Sequence, residues 1–307
     1  MVRTDQAPDS QCADRLEALL VTRNRWKDGP LVPTLNERQS QFYDSRLKAK
    51  LEQSNSEDAA GLITNVWTRI RKNIQSFDEQ LGLDQHYTDL HRQWVSGHNT
   101  GWTVDLGCFD GNLLSLELAA AAEKYTGVDL SQEAIAMLQR KLDDAGHTHA
   151  EAVAKDFFEL GIPDGSVDLV YARTVLHHFE DPARIADEVF RILKPGGVCV
   201  SLDPLATAPE NRLARAIYRP FQSDSAWEFP FSKTTLDLFE ERFEIANIRG
   251  IRGLSKAGLL LSTLGASKAA ASVGRKGESL DKKFADNNGL YMRMLCWNVL
   301  IQLRKPL

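Results

Sequence analysis

The chain has 307 residues and a mass of 34.3 kDa, enough for one large domain with additions or two small ones around a buried core. Hydrophobic residues make up 43% and charged residues 26%, a balance that excludes wholesale disorder. The formal net charge of −5 gives no electrostatic reason to expect a nucleic-acid backbone as partner. Cys12, Cys108, Cys199 and Cys296 lie far apart with no C-x-x-C pair and read as reduced core residues. Asp5, Asp9 and Asp14 break up the N-terminus, so it lacks the layout of a signal peptide, and no run of about 18 apolar residues marks a transmembrane segment. A soluble, cytoplasmic protein is expected.

In chain order, residues 1–34 are polar, with Pro8, Pro30 and Pro33 and one short helix expected over Ala13–Arg25. From Asn36 to about Val95 apolar residues recur at three- and four-residue spacing, among them Leu62, Ile63, Val66, Trp67, Ile70 and Ile74. This predicts a run of helices before any strand, a cap that either packs against a sheet or covers a substrate. After Gly101 short apolar runs alternate with amphipathic stretches. Strands are expected at Trp102–Leu106, Tyr125–Leu130, Ala150–Ala154, Val167–Ala172 and Val198–Leu202. Helices are expected at Leu113–Lys124, at Gln132–Ala145 capped by Ser131, and from Asp181-Pro182 to before Pro195-Gly196-Gly197. Such alternation argues for a doubly wound, mostly parallel α/β sheet. Further on, Asn211–Tyr218 and Lys233–Glu241 read as helices, and Phe243–Ile251 and Met292–Leu303 as strands. The division that follows is 1–100 as tail and helical cap and 101–307 as a cofactor-binding domain, with 204–290 as cap or lid insertions on the substrate side. Arg249–Lys283 is locally basic, a solvated face or a site for an acidic partner, and Leu259-Leu260-Leu261 with Leu264 suggests a helix laid over an apolar surface as a lid.

In a doubly wound sheet, ligands bind at the carboxyl ends of the strands. The first such end carries Asp105 and the turn Gly107-Cys108-Phe109-Asp110-Gly111. Glycines there let a backbone approach a ligand closely, and the next helix aims unpaired N–H groups at it. The second end carries Asp129, placed to accept from both hydroxyls of a ribose, and the third Lys155-Asp156-Phe157-Phe158, a carboxylate and an aromatic suited to an adenine. The glycine spacing is not the G-x-G-x-x-G of a dinucleotide turn. With Asp105 and Asp110 beside it, a ligand bearing an ammonium or sulfonium suits the turn better than a pyrophosphate.

Val104–Leu114, Tyr125–Ser131, Ala154–Phe158, Val167–Pro182 and Leu193–Gly197 together resemble, in order and spacing, the motifs of the class I S-adenosylmethionine-dependent methyltransferases, over about Trp102–Asp203. The resemblance implies a seven-stranded Rossmann-like sheet whose last strand, Met292–Leu303 here, is antiparallel. It implies S-adenosylmethionine as cofactor and S-adenosylhomocysteine as product. Asp105 and Gly107, Cys108, Phe109, Asp110 and Gly111 would meet the methionine part, Asp129 with Leu130 the ribose, and Asp156 with Phe157 the adenine, with Arg173 also near the cofactor. The chain departs from the family's acid-x-G-x-G-x-G at Phe109, which replaces the middle glycine, and at Asp110 after it.

Arg173–Phe179 resembles the family loop that faces the methyl group, so His177 or His178 is either a general base or a structural, cofactor-facing residue. Asp203 and Glu228 are candidates to orient a substrate, and Tyr218 and Trp227 to wall its pocket. Tyr43 resembles a tyrosine that some members fold over the cofactor. His147 and His149 lack a third ligand and read as a solvated turn, so no metal is expected. The resemblance implies methyl transfer to an oxygen, nitrogen or carbon of a small molecule, a natural-product intermediate or a sugar, in a chain that could form a homodimer. RNA or protein methylation, or a non-catalytic partner that keeps the fold, are the alternatives.

Overall fold

The computed structural model describes residues 34–51, 62–112, 114–219, 225–263 and 266–307. The expected helix at Ala13–Arg25, Cys12 and Leu264 lie outside them. Helices α1 (Leu35–Leu51), α2 (Leu62–Leu81) and α3 (Leu83–Val95) come first. Then β1 (Trp102–Leu106), α4 (Ser115–Ala121), β2 (Lys124–Asp129), α5 (Gln132–Asp144), β3 (Ala150–Ala154), β4 (Val167–Arg173), α6 (Pro182–Ile192) and β5 (Leu193–Pro204) alternate. The chain continues through α7 (Pro209–Tyr218), α8 (Lys233–Arg242), β6 (Glu244–Ile251), α9 (Lys256–Thr263), α10 (Ser267–Phe284), α11 (Leu290–Leu295) and β7 (Asn298–Arg304).

The strands form one seven-stranded sheet in the order β3-β2-β1-β4-β5-β7-β6. The first five run parallel, and β7 is inserted antiparallel to both β5 and β6. From β1 the chain winds outward through β2 to β3, then returns to lay β4 against the other side of β1. That reversal opens a crevice at the carboxyl ends of β1 and β4.

Alternation along the strands divides the core into two layers. Leu169 and Tyr171 of β4 and Val198 and Val200 of β5 face α3, α4 and α5, where they meet Leu83, Trp94, Leu118 and Leu138. Val170, Ala172 and Cys199 face the other way, onto Ile185 and Val189 of α6 and Leu236 and Phe239 of α8. The N-terminal helices therefore split in role. Helix α3 is a structural layer on the sheet, and α1 lies by the crevice, where Ser40 donates to the Leu130 carbonyl at 2.8 Å.

Two expectations need correction. Met292–Leu295 is the end of a helix, not the start of the last strand. Met292 is fully buried against Gly250 of β6, and the chain turns at Cys296 before β7 begins at Asn298; a short apolar run does not separate helix from strand by its period. The Leu259–Leu261 segment is not a lid over the crevice. Helix α9 buries Leu259 against Phe77 of α2 and Ala270 of α10. The basic stretch is partly tied up inside the molecule, since Arg252 pairs with Asp78, Lys256 with Glu210, and Arg249 donates to the Lys282 carbonyl at 2.6 Å.

Asp281 of α10 holds this peripheral part together. Its buried carboxylate accepts from the backbone N–H groups of Gly253, Leu254 and Ser255 and from the hydroxyls of Ser255 and Tyr291, at 2.6–3.1 Å. Asp281→Ala would strand three backbone N–H groups, two of them, of Gly253 and Ser255, buried, and should cost about 3 kcal/mol. Urea unfolding of the variant measures this, and a loss under about 1 kcal/mol would contradict the account.

Candidate active site

The β1–α4 turn is shaped by its backbone. Gly107 has φ 65° and Gly111 φ 93°, and Phe109 between them also has positive φ, 50°. The Gly107 and Cys108 N–H groups donate to the Val128 carbonyl at 2.7 and 3.2 Å, and the Phe109 N–H donates to Asp129 Oδ2 at 3.0 Å. The turn is thus fastened to the end of β2. Asp129 Oδ1 accepts from the Ser131 N–H at 2.9 Å, and burial raises its pKa against the pull of these backbone donors.

Phe109, the departure from the glycine pattern, takes the left-handed backbone a glycine would take. Its ring lines a cavity and meets Tyr43 edge-on, centroids 6.0 Å apart. Asp110 turns away from the cavity, toward Lys141 of α5 at 3.3 Å. Asp105 lies beneath the turn, fully buried, and accepts from Ser115 Oγ at 2.6 Å and Tyr125 Oη at 2.8 Å; burial raises its pKa to about 6.

The cavity encloses about 960 Å³. Of the expected cofactor residues, Gly107, Phe109, Asp129, Leu130, Asp156, Phe157 and Arg173 line it, whereas Asp105, Cys108, Asp110 and Gly111 stand behind the lining and shape the turn. Tyr43, His177, His178 and Glu228 line it too. Asp203 and Trp227 sit one layer back, and the side chain of Tyr218 lies outside the described ones. Among the described residues of 204–290, Glu228 is the one that lines the cavity.

The sequence reading missed part of the wall. Asn36 of α1 donates to Asp156 Oδ2 at 2.7 Å, across 120 residues of chain, and Asp156 Oδ1 caps the turn after β3 by accepting from the Phe158 N–H at 3.0 Å. Arg184 of α6 stacks over the Phe158 ring at 3.9 Å. No local pattern marks these contacts; only the Pro182 helix start hinted that α6 begins at the cavity.

The two histidines have opposite chemistry. His177 is buried, with Nδ1 at 2.6 Å from Asp203 Oδ1 and Nε2 at 3.7 Å from Glu228 Oε1. Burial opposes its charge, but the two carboxylates outweigh burial and raise its pKa to about 9. His178 Nδ1 lies 2.9 Å from the Trp227 carbonyl, which can only accept, so Nδ1 carries the proton and the Nε2 lone pair lies 3.5 Å from the Tyr43 hydroxyl. Burial, then the His177 charge, lowers its pKa to about 4. At neutral pH His177 is an imidazolium and His178 a neutral acceptor. Glu228 is held beside them because the Phe229 N–H donates to the His177 carbonyl at 2.7 Å.

Residues 104–201 match the methyltransferase domain family. The chain carries a class I S-adenosylmethionine-dependent methyltransferase domain. The cofactor of this domain is S-adenosylmethionine, and the residues present fit it: Asp129 keeps lone pairs for ribose hydroxyls, and the Gly107 backbone lines the cavity beside it. A demethylmenaquinone methyltransferase from Bacillus velezensis is 24% identical over 204 residues, 58% of this chain and 87% of that protein. A ubiquinone biosynthesis O-methyltransferase from Psychrobacter cryohalolentis is 35% identical over 105 residues, 32% of this chain and 38% of that protein. In fold, the YcgJ protein from Bacillus subtilis superposes with a TM-score of 0.50 at 16% identity, over 73% of this chain and 99% of that one. Geranyl diphosphate C-methyltransferase from Streptomyces coelicolor A3(2) gives 0.50 at 14% identity, over 73% and 79%. The matched segment holds β1 to β4 and most of β5, while α1, α2 and α3 precede it and β6 and β7 follow it.

Two measurements follow from this geometry. Phe109→Gly suits the local backbone and should keep thermal stability within about 1 kcal/mol of wild type, whereas Phe109→Ile, β-branched at positive φ, should lose about 1–2 kcal/mol. Equal losses in the two variants would argue against the strained conformation. The histidines also give stability a pH optimum. His177, with a raised folded pKa, stabilises fully below about pH 6.5 and loses that contribution as pH rises toward about 9. His178, with a lowered one, costs stability as pH falls from about 6.5 toward 4. The contribution of the pair should peak near pH 6.5, and denaturation from pH 4 to 9.5 should flatten on both limbs in His177→Gln/His178→Gln.

Proposed function

We propose that the protein transfers the methyl group of S-adenosylmethionine to an oxygen, nitrogen or carbon of a small molecule held in the same cavity. The observation that carries this reading is the continuity of one enclosure. Gly107, Asp129 and Asp156 line it at the cofactor end, and Phe109, Tyr43, His178 and Glu228 line it at the other.

The cofactor supplies a methyl group already activated by its sulfonium. The tasks left to the protein are alignment and exclusion of water. Asp129 and the turn fix the cofactor's ribose and methionine ends. Helix α1 covers the crevice through Asn36, Ser40 and Tyr43. Of the two histidines, His178 is suited to take a proton from, or orient, an acceptor O–H or N–H, because its Nε2 lone pair faces the cavity. His177 is already protonated and serves as a fixed positive charge under that wall, positioned by Asp203.

Among small molecules, a natural-product intermediate with a hydroxylated ring suits the acceptor end better than a sugar. The wall there is built from the rings of Phe109, Tyr43, His178 and Phe179. Relatives named for quinone biosynthesis support the same class. Methylation of RNA or protein has less support, since Arg249, Arg252 and Lys256 of the basic stretch are engaged within the fold.

Calorimetry with S-adenosylhomocysteine should show one site per chain, and Asp129→Ala should weaken it about 10- to 100-fold through loss of charge-assisted hydrogen bonds. Incubation with methyl-labelled S-adenosylmethionine and a small-molecule extract should label a compound of low mass. Absence of binding, together with no effect of Asp129→Ala, would end the methyltransferase reading. Label appearing only in macromolecules would overturn the small-molecule reading.

A further inference from the structure

We propose that His177, His178 and Glu228 form a divalent transition-metal site at the acceptor end of the cavity, with the open side of the ion facing the methyl acceptor. The placement of an acceptor beside it rests on the methyltransferase reading; the metal site itself does not.

Four observations carry the proposal. First, each of the three side chains offers a donor atom within 4.8 Å of the donors of the other two. They come from two separate segments, the turn after β4 and the loop before α8, so their meeting is a property of the fold. Second, both imidazoles have their Nδ1 side engaged by an oxygen acceptor, Asp203 Oδ1 at 2.6 Å and the Trp227 carbonyl at 2.9 Å. Metal-binding histidines are oriented in this way, by a carboxylate or a backbone carbonyl that sets the tautomer and leaves Nε2 for the ion. Third, His177 Nε2 and Glu228 Oε1 are 3.7 Å apart. That is too long for a hydrogen bond, but it is close to the separation of two donors sharing one ion at about 2.1 Å each. Fourth, all three residues line the cavity, so an ion between them is reachable by a ligand.

Two imidazoles and one carboxylate form the donor set of catalytic zinc and of non-haem iron(II) sites, both of which keep positions open. The ion would replace the Nε2 proton of His177, which leaves to solvent. Asp203 and Glu228 are then two carboxylates against one guanidinium, Arg215, 3.7 Å from Glu228, and a dication leaves one positive charge over, which a phenolate or enolate oxygen would neutralise. The ion would take the His178 lone pair otherwise available to the acceptor's proton, and would instead acidify the acceptor hydroxyl bound to it. The class of acceptor this selects is a molecule with two adjacent oxygens able to chelate, such as a catechol or a hydroxyquinone.

The test uses the full-length, tag-free protein, stripped of metal by chelator, with Co²⁺ as the probe. Titration should show one equivalent bound, with the visible d–d absorption of Co²⁺ in a nitrogen-containing, non-octahedral site. Glu228→Gln and His178→Ala should each weaken binding at least about tenfold. S-adenosylhomocysteine affinity, measured on the same samples, reports folding and the cofactor end independently. Absence of the absorption in a wild-type protein that binds S-adenosylhomocysteine would overturn the metal site and leave the methyltransferase reading standing. Equal Co²⁺ affinity in wild type and both variants would overturn it as well.

Discussion

The contact on which both halves of the cavity depend is the one between Gly107 and Val175. Gly107 ends the β1 strand at φ 65°, and a Cβ there would lie 2.5 Å from Val175 Cγ2. Val175 in turn precedes the short turn that carries His177 and His178, and it follows Thr174, another residue of positive φ, 57°. The cofactor turn after β1 and the histidine turn after β4 therefore pack against each other across the switch point of the sheet. Because β1 and β4 are hydrogen-bonded neighbours, with Thr103 opposite Leu169 and Asp105 opposite Tyr171, the register of two strands fixes the spacing between the two ends of the cavity. Loop residues placed by a rigid sheet in this way keep a geometry that the loops alone would not hold.

Burial of charge organises the rest of the site. Asp105 and Asp129 are both taken out of water at the ends of adjacent strands, and each is satisfied differently. Asp105 accepts from side chains below the turn, Ser115 and Tyr125, and has no access to the cavity. Asp129 accepts from two backbone N–H groups, that of Phe109 in the turn and that of Ser131 at the head of α5, and lines the cavity. One carboxylate holds the cradle from beneath, and the other both holds it and faces the ligand. The same logic separates His177 from His178. The rings are neighbours in sequence with centroids 4.2 Å apart, yet one is charged and the other neutral, because Asp203 and Glu228 converge on the first and a carbonyl meets the second. Two adjacent imidazolium ions at that distance would repel, so charging one keeps the other neutral.

The fold was largely legible in the sequence because its signals are local. Period-two and period-3.6 patterns, Ser131 and Asp181 as caps, and Pro182 at a helix start specify the alternation without reference to distant residues. The cofactor end was legible for the same reason, since Gly107, Asp129 and Asp156 each stand at a strand end. Legibility failed where a residue's role depends on what packs behind it. Asp105, Cys108 and Asp110 belong to the motif, but burial and the Lys141 contact turn them from the cavity. Phe109 departs from the glycine pattern, and the structure accommodates it with a left-handed backbone, its ring lining the cavity. Met292 was misread because burial on a helix and burial in a strand demand the same residue types. The contribution of α1 was visible only at Tyr43, since Asn36 and Ser40 act through partners 120 and 90 residues away.

The way α1 is attached bears on how a ligand enters. A core helix of this protein, such as α6, buries Ile185, Ala186, Val189 and Ile192 against the sheet. Among its described side chains helix α1 has one deeply buried apolar one, Leu47, and the other contacts described are polar and aromatic: Asn36 to Asp156, Ser40 to Leu130, Asp44 to Ser131, Lys48 to Glu133, and Phe42 edge-on to Trp227. Hydrogen bonds that exchange for water on opening contribute about 1 kcal/mol each, and an exposed ion pair less. Lifting α1 therefore costs far less than disturbing the sheet and its layers, so the cover can open while the cradle stays fixed. Two of its partners, Asp156 and Leu130, are themselves cavity residues, so a nucleoside seated against them would meet α1 directly and favour its closed position. A nucleoside bound there would therefore be coupled to α1 through contacts at the mouth of the crevice rather than through the core.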